Sequence, residues 1–401
     1  MGKRSNRPIA CVLGEIDLVQ ALALAGVRSA VTAAHGEPVR YSHHVAAVLE
    51  RIDPWRRPDA AVEGLVAFAR SQPAPPPLFY DADWDLLLVS RLRERLREHF
   101  RFVVPDSELV EDLVDKARFQ ELSERLALPV PRAARLAGEV DPSLDLGLRF
   151  PVVVKPLTRH HDVWRPLARG KALALADDAA LRSLWEQLAE TATDVLVQEM
   201  VPGPETKIES YHVYVDAEGV VAGEFTGRKL RTWPRQFGYS TALEITASDE
   251  VRELGRDLVT RLRLQGVAKF DFKRDQDGEL KLLEVNPRFN LWHHPGAIAG
   301  VNIPALVYAD LTGRPRPPTR TARAGVRWCS FAHDARAARA DGIGALRWLR
   351  WALSCEAKSG FSWRDPLPLP RALASRLIGA RRGDGAGATP HPPDDAGRVG
   401  G

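Results

Sequence analysis

The segment from Gly266 to Arg288, GVAKFDFKRDQDGELKLLEVNPR, decides how the rest of this 401-residue chain is interpreted. Apolar runs on both sides of a polar turn at residues 275–278 predict two strands joined as a hairpin. Glu284 and Asn286 are two residues apart, so their side chains leave the same face of an extended strand. If the two strands pair near their middle, Asp271 lies beside them.

This hairpin would gather oxygen donors that suit a hard divalent cation. Asp271, Glu284 and Asn286 would supply two carboxylates and a carboxamide oxygen, with Lys269 and Arg288 close by. Mg²⁺ prefers such ligands and commonly shares its coordination shell with substrate phosphates. Taken alone, the pattern also fits an edge hairpin whose acids are merely solvated, so the choice depends on the other motifs of the chain.

Length and composition predict a multidomain globular protein. A chain of 401 residues with 45% hydrophobic residues exceeds a single core, and two or three domains are expected. No run approaches the ~18 apolar residues that span a bilayer, and the basic start MGKRSNRPIACVLG does not resemble a signal peptide. Three widely spaced cysteines argue against a disulfide framework and show no metal-binding spacing. A cytoplasmic location is therefore expected.

Positive charge is concentrated near the end of the chain. From Gly313 onward there are 16 Lys and Arg against 7 Asp and Glu, a net of +9 that leaves −5 for residues 1–312. Two interpretations stay open, a basic surface of biased composition and a contact with an anionic partner such as a membrane surface or a polyanionic substrate. Nucleic-acid binding is not expected, because no motif accompanies the charge.

The first hundred residues alternate strands and helices in the way that is typical of a parallel sheet. Strands are predicted at Ile9 to Leu13, Leu78 to Tyr80 and Phe102 to Val104, and a single glycine at the first turn gives no dinucleotide fingerprint. Three acids follow the second of these strands, where open α/β sheets place ligands. The interpretation favoured for them is solvated helix capping, and the acids are Asp81, Asp83 and Asp85.

Lysines recur at points where a cleft could receive them. Asp115 is a plausible N-cap for a helix that begins at Lys116. The apolar run PVVVKP delivers Lys155 from the end of a strand, and the loop TRHHDVWRPLARGK then offers Lys171 but only one glycine, Gly170. Further on, a strand at residues 195–201 meets a Pro-Gly turn and Glu205, and the cluster GRKLR carries Lys229 after a predicted hairpin of residues 208–215 and 220–226.

Together these motifs resemble the ATP-grasp superfamily, over about residues 8 to 318. The resemblance implies two α+β lobes that close over MgATP, preceded by a pre-ATP-grasp domain with a parallel sheet. The expected domains are 1–104 (pre-ATP-grasp), 105–192 (N-terminal lobe and phosphate lid), 193–318 (C-terminal lobe and metal site), 319–382 (basic extension) and 383–401 (disordered tail). The loop of residues 157–173 departs from the family, whose phosphate lid is usually rich in glycine.

The resemblance also implies a role for each matching residue. The lysines that would face the nucleotide phosphates are Lys116, Lys155, Lys171 and Lys229. The adenine and ribose contacts would come from Gln198, Glu199, Val201 and Glu205. The ligands for Mg²⁺, or Mn²⁺ in its place, would be Asp271, Glu284 and Asn286. The cations that would stabilise the reacting groups are Arg288, Lys269 and Lys229.

The implied activity is an ATP-dependent ligation of a carboxylate to an amine through an acyl phosphate. The layout looks most like the carboxylate–amine ligase group that includes D-aspartate ligases of cell-wall synthesis, so an amino acid or a cell-envelope precursor is the expected substrate class. A rival interpretation is a catalytically silent ATP-binding module of the same fold. Peripheral membrane contact through the basic extension stays open.

Overall fold

The computed structural model describes residues 7–136, 146–157, 172–189, 194–318, 320–362 and 364–382. Within these ranges the strands form three sheets of four, seven and four strands. The strands are β1 (Ala10–Leu13), β2 (Ser29–Ala33), β3 (Val45–Glu50), β4 (Leu78–Tyr80), β5 (Ala133–Leu136), β6 (Val152–Pro156), β7 (Leu173–Leu175), β8 (Val195–Glu199), β9 (Ile208–Val215), β10 (Val221–Trp233), β11 (Tyr239–Thr246), β12 (Gly266–Arg274), β13 (Leu280–Asn286), β14 (Arg327–Ser330) and β15 (Ala357–Ser359).

Helices cover these sheets and connect their strands. They are α1 (Ile16–Leu24), α2 (Pro58–Arg70), α3 (Asp83–Arg91), α4 (Arg93–Arg97), α5 (Ser107–Val114), α6 (Lys116–Arg125), α7 (Asp178–Ala189), α8 (Asp249–Arg261), α9 (His293–Ala299), α10 (Ile303–Leu311), α11 (Phe331–Ala340), α12 (Ala345–Ser354) and α13 (Pro368–Arg382). No helix of the described residues is long and apolar enough to cross a membrane.

The first sheet is parallel, as its alternating elements predict. Its strand order is β3-β2-β1-β4, and every pairing in it is parallel. The strand predicted at Phe102 to Val104 is wrong: the structure has only an isolated bridge just before it, between Pro77 and Arg101. Edge strand β3 was not predicted, since its sequence VAAVLE is only half-buried and resembles a solvent-facing segment.

The second sheet is a small antiparallel one, in the order β5-β8-β6-β7. Helix α7 packs on it through Leu181, Leu184, Trp185 and Leu188, all buried in one cluster with Val152 and Val154. These four residues have the i, i+3, i+4, i+7 spacing that predicts one apolar helix face.

The largest sheet has the order β13-β12-β9-β10-β11-β14-β15 and is antiparallel except for the last pair. Strand β10 is longer than predicted: it runs on to Trp233, so Lys229 and Arg231 lie inside the strand rather than beyond it. Residues after 318 add β14 and β15 to this sheet, and Trp328 of β14 is buried in the main core.

The segment after residue 318 also contacts the first sheet's layer. The buried carboxylate of Asp17 in α1 accepts hydrogen bonds from Trp328 Nε1 at 2.8 Å and Ser359 Oγ at 2.7 Å, and it lies 3.0 Å from His294 Nδ1. One acid of the first unit is therefore shared by α9, β14 and β15. Helix α12, by contrast, turns its leucines outward, and Leu346 is 79% exposed.

Candidate active site

The hairpin predicted from Gly266 to Arg288 is β12 and β13, and its register places the donors together. Asp271 pairs directly with Glu284, and Lys269 pairs with Asn286. Directly paired residues on neighbouring strands point to the same face of a sheet, with side chains about 5 Å apart. The predicted juxtaposition of Asp271, Glu284 and Asn286 is therefore what the strand register produces.

Asp271 is the buried member of this group. One carboxylate oxygen accepts a hydrogen bond from Ser210 Oγ at 2.5 Å, and the other lies 2.7 Å from Lys269 Nζ and 3.5 Å from Lys229 Nζ. Burial raises the pKa of Asp271, but the two ammonium groups and the two hydrogen bonds outweigh it and leave the pKa well below its usual range. The group is an anion at any physiological pH.

Glu284 is the accessible member, with 56% of its side chain exposed. Its Oε1 accepts a hydrogen bond from Asn286 Nδ2 at 3.0 Å and lies 3.7 Å from Lys269 Nζ. The ammonium of Lys269 thus stands between the carboxylates of Asp271 and Glu284. The two carboxylates therefore favour a positive charge at the position between them.

The donor set fits a divalent ion such as Mg²⁺. Two carboxylates and a carboxamide oxygen are hard ligands, and Lys269 stands among them as a cation of the chain itself. Glu284, half-exposed at the edge of the hairpin, offers oxygens that an incoming ion could reach. Carboxylate oxygens suit Mn²⁺ equally.

Lys155 and Lys229 come from different sheets but interact with the same acids. Burial lowers the pKa of Lys155, and the carboxylates of Glu284 and Glu205 offset only part of that effect. Burial also lowers the pKa of Lys229, but Asp271, Glu284 and Glu205 outweigh it, so that pKa is raised. Both ammonium groups thus interact electrostatically with the same two glutamates, Glu205 and Glu284.

Lys116 approaches Lys155 from the N-terminus of α6. The carboxylate of Asp115 caps this helix by accepting from the N–H groups of Ala117 and Arg118, each at 2.9 Å, as the sequence predicts. Lys116 Nζ donates to the carbonyl of Pro156 at 2.6 Å, next to Lys155 in the chain. Lys155 Nζ in turn donates to Gln198 Oε1 at 2.8 Å.

In the segment predicted to contact adenine, residues 198–201, one backbone N–H has no hydrogen-bond partner among the described residues. The N–H of Glu199 donates to Arg132, and that of Met200 donates to Pro151, while the Glu199 carboxylate accepts from the Arg149 N–H at 3.0 Å. The N–H of Val201 has no partner among the described residues. Of this segment, Val201 is therefore the residue whose backbone could donate to a ligand.

Glu205 has a neighbour that the sequence analysis missed. Lys273 of β12 lies 3.7 Å from Glu205 Oε1 and donates to the Gly203 carbonyl at 2.7 Å. Lys273 is two residues beyond Asp271 on the same strand face, so the period of two could have indicated it. It fixes the turn that carries Glu205.

Arg288 contacts the first unit, and this corrects the role favoured for the three acids after β4. Arg288 Nε donates to Asp83 Oδ1 at 2.5 Å, and Nη1 donates to the Asp81 carbonyl at 2.7 Å. Asp85 is 3% exposed and pairs with Arg51 at 3.1 Å. Asp83 and Asp85 are thus ion-pair partners, and the Asp81 carboxylate accepts from the backbone N–H of Glu15, so none of the three is a solvated helix cap.

Asp81 is held especially close to the backbone. It accepts from the N–H of Glu15 at 2.8 Å, and a Cβ at Gly14 would lie only 2.5 Å from its Oδ2, so this position needs glycine. Burial raises the pKa of Asp81 to about 6, with Asp85 acting in the same direction and the Glu15 N–H, Arg288 and Arg51 opposing. The predicted lid residue Lys171 lies outside the described residues.

Known proteins resemble this chain in sequence. Residues 191–332 match the family described as ATP-grasp in the biosynthetic pathway with Ter operon. D-aspartate ligase from Enterococcus faecium is 27% identical over 235 residues, which cover 56% of this chain and 55% of that protein. D-alanine–D-alanine ligase from Pseudomonas entomophila is 26% identical over 222 residues, covering 49% of this chain and 63% of that protein. The matches thus span little more than half of these relatives.

Solved structures resemble it over most of its length. N5-carboxyaminoimidazole ribonucleotide synthetase in complex with ADP has a TM-score of 0.59 at 16% identity, covering 80% of this chain and 82% of that chain. Biotin carboxylase from Campylobacter jejuni has a TM-score of 0.59 at 14% identity, covering 80% and 74%. L-amino acid ligase from Bacillus licheniformis has a TM-score of 0.56 at 15% identity, covering 77% and 75%. At these identities the likeness concerns the fold.

Proposed function

The chain has the ATP-grasp fold that its motifs predicted, and on that premise we propose that it is an ATP- and Mg²⁺-dependent ligase. It joins a carboxylate to an amine through an acyl phosphate and releases ADP and phosphate. The expected substrates are an amino acid or a small cell-envelope precursor. The D-aspartate and D-alanine–D-alanine ligases among its relatives support this substrate class.

One observation carries the proposal: Lys155 of the small sheet and Lys229 of the largest sheet both interact with Glu284 of the hairpin and with Glu205. Lys155 and Lys229 interact with the same pair of glutamates, Glu205 and Glu284, while Asp271 pairs directly with Glu284. A triphosphate needs cations on several sides, and a row of ammonium groups opposite oxygen ligands meets that need. A merely solvated hairpin would not share its acids with buried lysines.

The chain's residues would divide the work by position. The carboxylate of Glu205 would accept hydrogen bonds from both ribose hydroxyls. The backbone N–H of Val201 would donate a hydrogen bond to the edge of the adenine ring. Lys116, Lys155 and Lys229 would offset the charge of the phosphates. Asp271, Glu284 and Asn286 would hold the divalent ion, which when bound supplies charge neutralisation and orientation of the phosphates.

The proposed reaction has two balanced steps. A carboxylate oxygen of the acceptor attacks the γ-phosphorus, the bond to the β,γ-bridging oxygen breaks, and ADP leaves. The amine then attacks the acyl carbon and loses a proton, and the C–O bond to phosphate breaks. Arg288 and Lys269 would stabilise the oxyanion that forms on the acyl oxygen. Positioning and electrostatics provide most of the acceleration in phosphoryl transfer.

The test is acceptor-dependent release of ADP. The purified chain is incubated with MgATP and pools of D- and L-amino acids, ADP is measured by a coupled assay, and products are identified by mass spectrometry. Formation of ADP that depends on an amino acid, together with a new amide, is the expected result. Tight ATP binding without acceptor-dependent ADP across all pools would instead support the catalytically silent module.

A further inference from the structure

Two histidines and a buried aspartate meet far along the chain from the hairpin. His43 and His44 form the turn just before β3, and Asp365 lies in the segment that leads into α13. One ligand atom of each, a ring nitrogen or a carboxylate oxygen, lies within 4.8 Å of the other two. Side chains of adjacent residues diverge on a strand, but this turn brings the two imidazole rings to a centroid distance of 3.9 Å.

Within the part of the chain that the structure describes, the carboxylate of Asp365 has no lysine or arginine as a counter-charge. Its side chain is 2% exposed, and no Lys or Arg of the described residues lies within 4 Å of its oxygens. It accepts hydrogen bonds from Ser42 Oγ at 2.5 Å and from the His43 N–H at 3.4 Å, and it lies 3.1 Å from His43 Nδ1. A buried carboxylate is costly without a cation, so a bound ion would be stabilised here.

The ligand types, and the spacing of His43 and Asp365, suit a borderline-soft ion. Zinc binds His nitrogen at about 2.0–2.1 Å and carboxylate oxygen at about 2.0–2.2 Å in tetrahedral geometry, which puts neighbouring ligand atoms about 3.3 Å apart. The 3.1 Å between His43 Nδ1 and Asp365 Oδ1 is close to that edge length.

We propose that His43, His44 and Asp365 bind one Zn²⁺ ion, with water in the fourth position. The ion joins the segment before α13 to the start of β3, so its role is to fasten the end of the chain to the first sheet. This site is separate from the hairpin of β12 and β13, and it does not depend on the proposed ligase activity. Imidazole and carboxylate together favour Zn²⁺ over Mg²⁺.

The test measures zinc binding by tag-free, metal-depleted full-length protein in excess Mg²⁺, which competes for the oxygen donors of the hairpin. Calorimetry is expected to give one Zn²⁺ per chain, and Co²⁺ in its place is expected to give the visible absorption of a four-coordinate site. Zinc is also expected to raise Tm, because it binds the folded chain. Absence of stoichiometric binding at micromolar zinc would overturn the proposal.

Variants assign the binding to these residues. His43→Ala, whose side chain is 56% exposed in the wild type and which should fold, and Asp365→Asn are each expected to weaken zinc binding at least tenfold. The matched control is His333→Ala, an exposed histidine of α11 outside the cluster, with unchanged binding. If Asp365→Asn does not fold, His43→Ala decides alone. Zinc binding that survives in His43→Ala, or that disappears in Glu284→Gln, contradicts the proposal.

Discussion

In the proposed metal site, binding would depend most directly on Glu284, because it is half-exposed while Asp271 is buried. We expect Glu284→Gln to lower the rate of Mg²⁺-dependent ADP formation at least about 100-fold, since the metal supplies several kcal/mol of charge stabilisation. The measurement is the initial rate over a Mg²⁺ titration.

The control for this variant is Glu279→Gln. Glu279 is an exposed residue in the turn of the same hairpin and loses the same charge. It should retain nearly the wild-type rate. Equal rates for Glu284→Gln and the wild type at limiting Mg²⁺ would remove Glu284 from the metal site.

Asp81 makes the stability of the protein depend on pH. Its folded-state pKa of about 6 lies above the ordinary value of 3.8, so the folded state binds the proton more tightly than the unfolded state. The stabilisation is complete below the ordinary value and is lost as the pH rises through about 6. Asp81→Asn, which cannot ionise, should therefore gain stability relative to the wild type between pH 4 and pH 8, by up to about 3 kcal/mol.

Urea unfolding of both proteins at several pH values provides the measurement. Other groups titrate equally in the two proteins, so the difference between their free energies of unfolding isolates Asp81. A difference that stays flat from pH 4 to pH 8 would contradict the raised pKa.

The acids after β4 show that a local sequence pattern does not identify the long-range partner of a side chain. The period of two predicts that Glu284 and Asn286 share a face, because that relation is local. The partner of Asp83 is Arg288, 205 residues away, and nothing in the local pattern indicates that pairing. Solvated capping was therefore favoured for acids that the fold places in ion pairs.

Strand β10 links the cleft to the segment after residue 318. Two residues beyond Lys229, the Arg231 guanidinium donates to both carboxylate oxygens of Asp334 at 2.8 and 2.7 Å, and its Cζ lies 4.0 Å from the Trp351 ring centroid. Asp334 is fully buried and also accepts from Thr241 Oγ1 and Trp348 Nε1. This network fixes the strand that carries Lys229.

Asp334→Ala is expected to lower the free energy of unfolding by about 3–5 kcal/mol, because it leaves the Arg231 charge buried without its partner. The double variant Arg231→Met with Asp334→Leu should lose less than Asp334→Ala does, since no charge remains buried. Urea denaturation of all variants measures the effect.

The comparison is the exposed pair Arg261–Asp257 of α8, at 2.8 Å. Asp257→Ala should cost less than about 1 kcal/mol, because solvent screens a surface pair. If the two aspartate variants lost similar stability, the buried network would not hold β10.

The boundaries of helices and strands could be predicted where the sequence pattern was long. The prediction failed where pairing with a neighbouring strand determines the boundary. The apolar face of α7 and the hairpin of β12 and β13 follow from periodicity. Strand β10 extends past its predicted end because β11 pairs with it as far as Trp233. Edge strands such as β3 depend on a neighbour that the local sequence does not contain.

At the scale of the whole molecule, the segment after residue 318 is part of the folded core. Trp328 is 2% exposed, β14 pairs with β11, and Asp17 receives donors from β14 and β15. A chain that ends at Pro318 would leave the edge of β11 open and bury Asp17 and Arg231 without these partners. We expect it to aggregate rather than fold, as judged by soluble yield and circular dichroism.

A single substitution tests the same contact in a chain that folds. Trp328→Phe keeps the aromatic bulk but removes the indole N–H that Asp17 accepts, which should cost about 1–3 kcal/mol. A truncated chain that is soluble with native circular dichroism would show that the segment is dispensable.

The superfamily architecture was recoverable from the sequence because its motifs lie at strand ends and turns, which local patterns indicate. The contacts of α1 with α9, β14 and β15 could not be predicted from the sequence. They are made by Asp17, His294, Trp328 and Ser359, which share no pattern and meet only in the folded chain. The predicted domain boundaries and site roles stay predictions.

The ammonium of Lys269 lies between Asp271 and Glu284 and supplies the hairpin with a cation of its own. The two acids do not repel each other before any ion arrives, so the hairpin can be fully formed in metal-free protein. A metal ion entering the proposed site would have to displace this lysine, and free Mg²⁺ would give the released ammonium no new anion. MgATP does, because its triphosphate arrives with the metal, and in the proposed reaction this coupling would make the site select the complex over the bare ion.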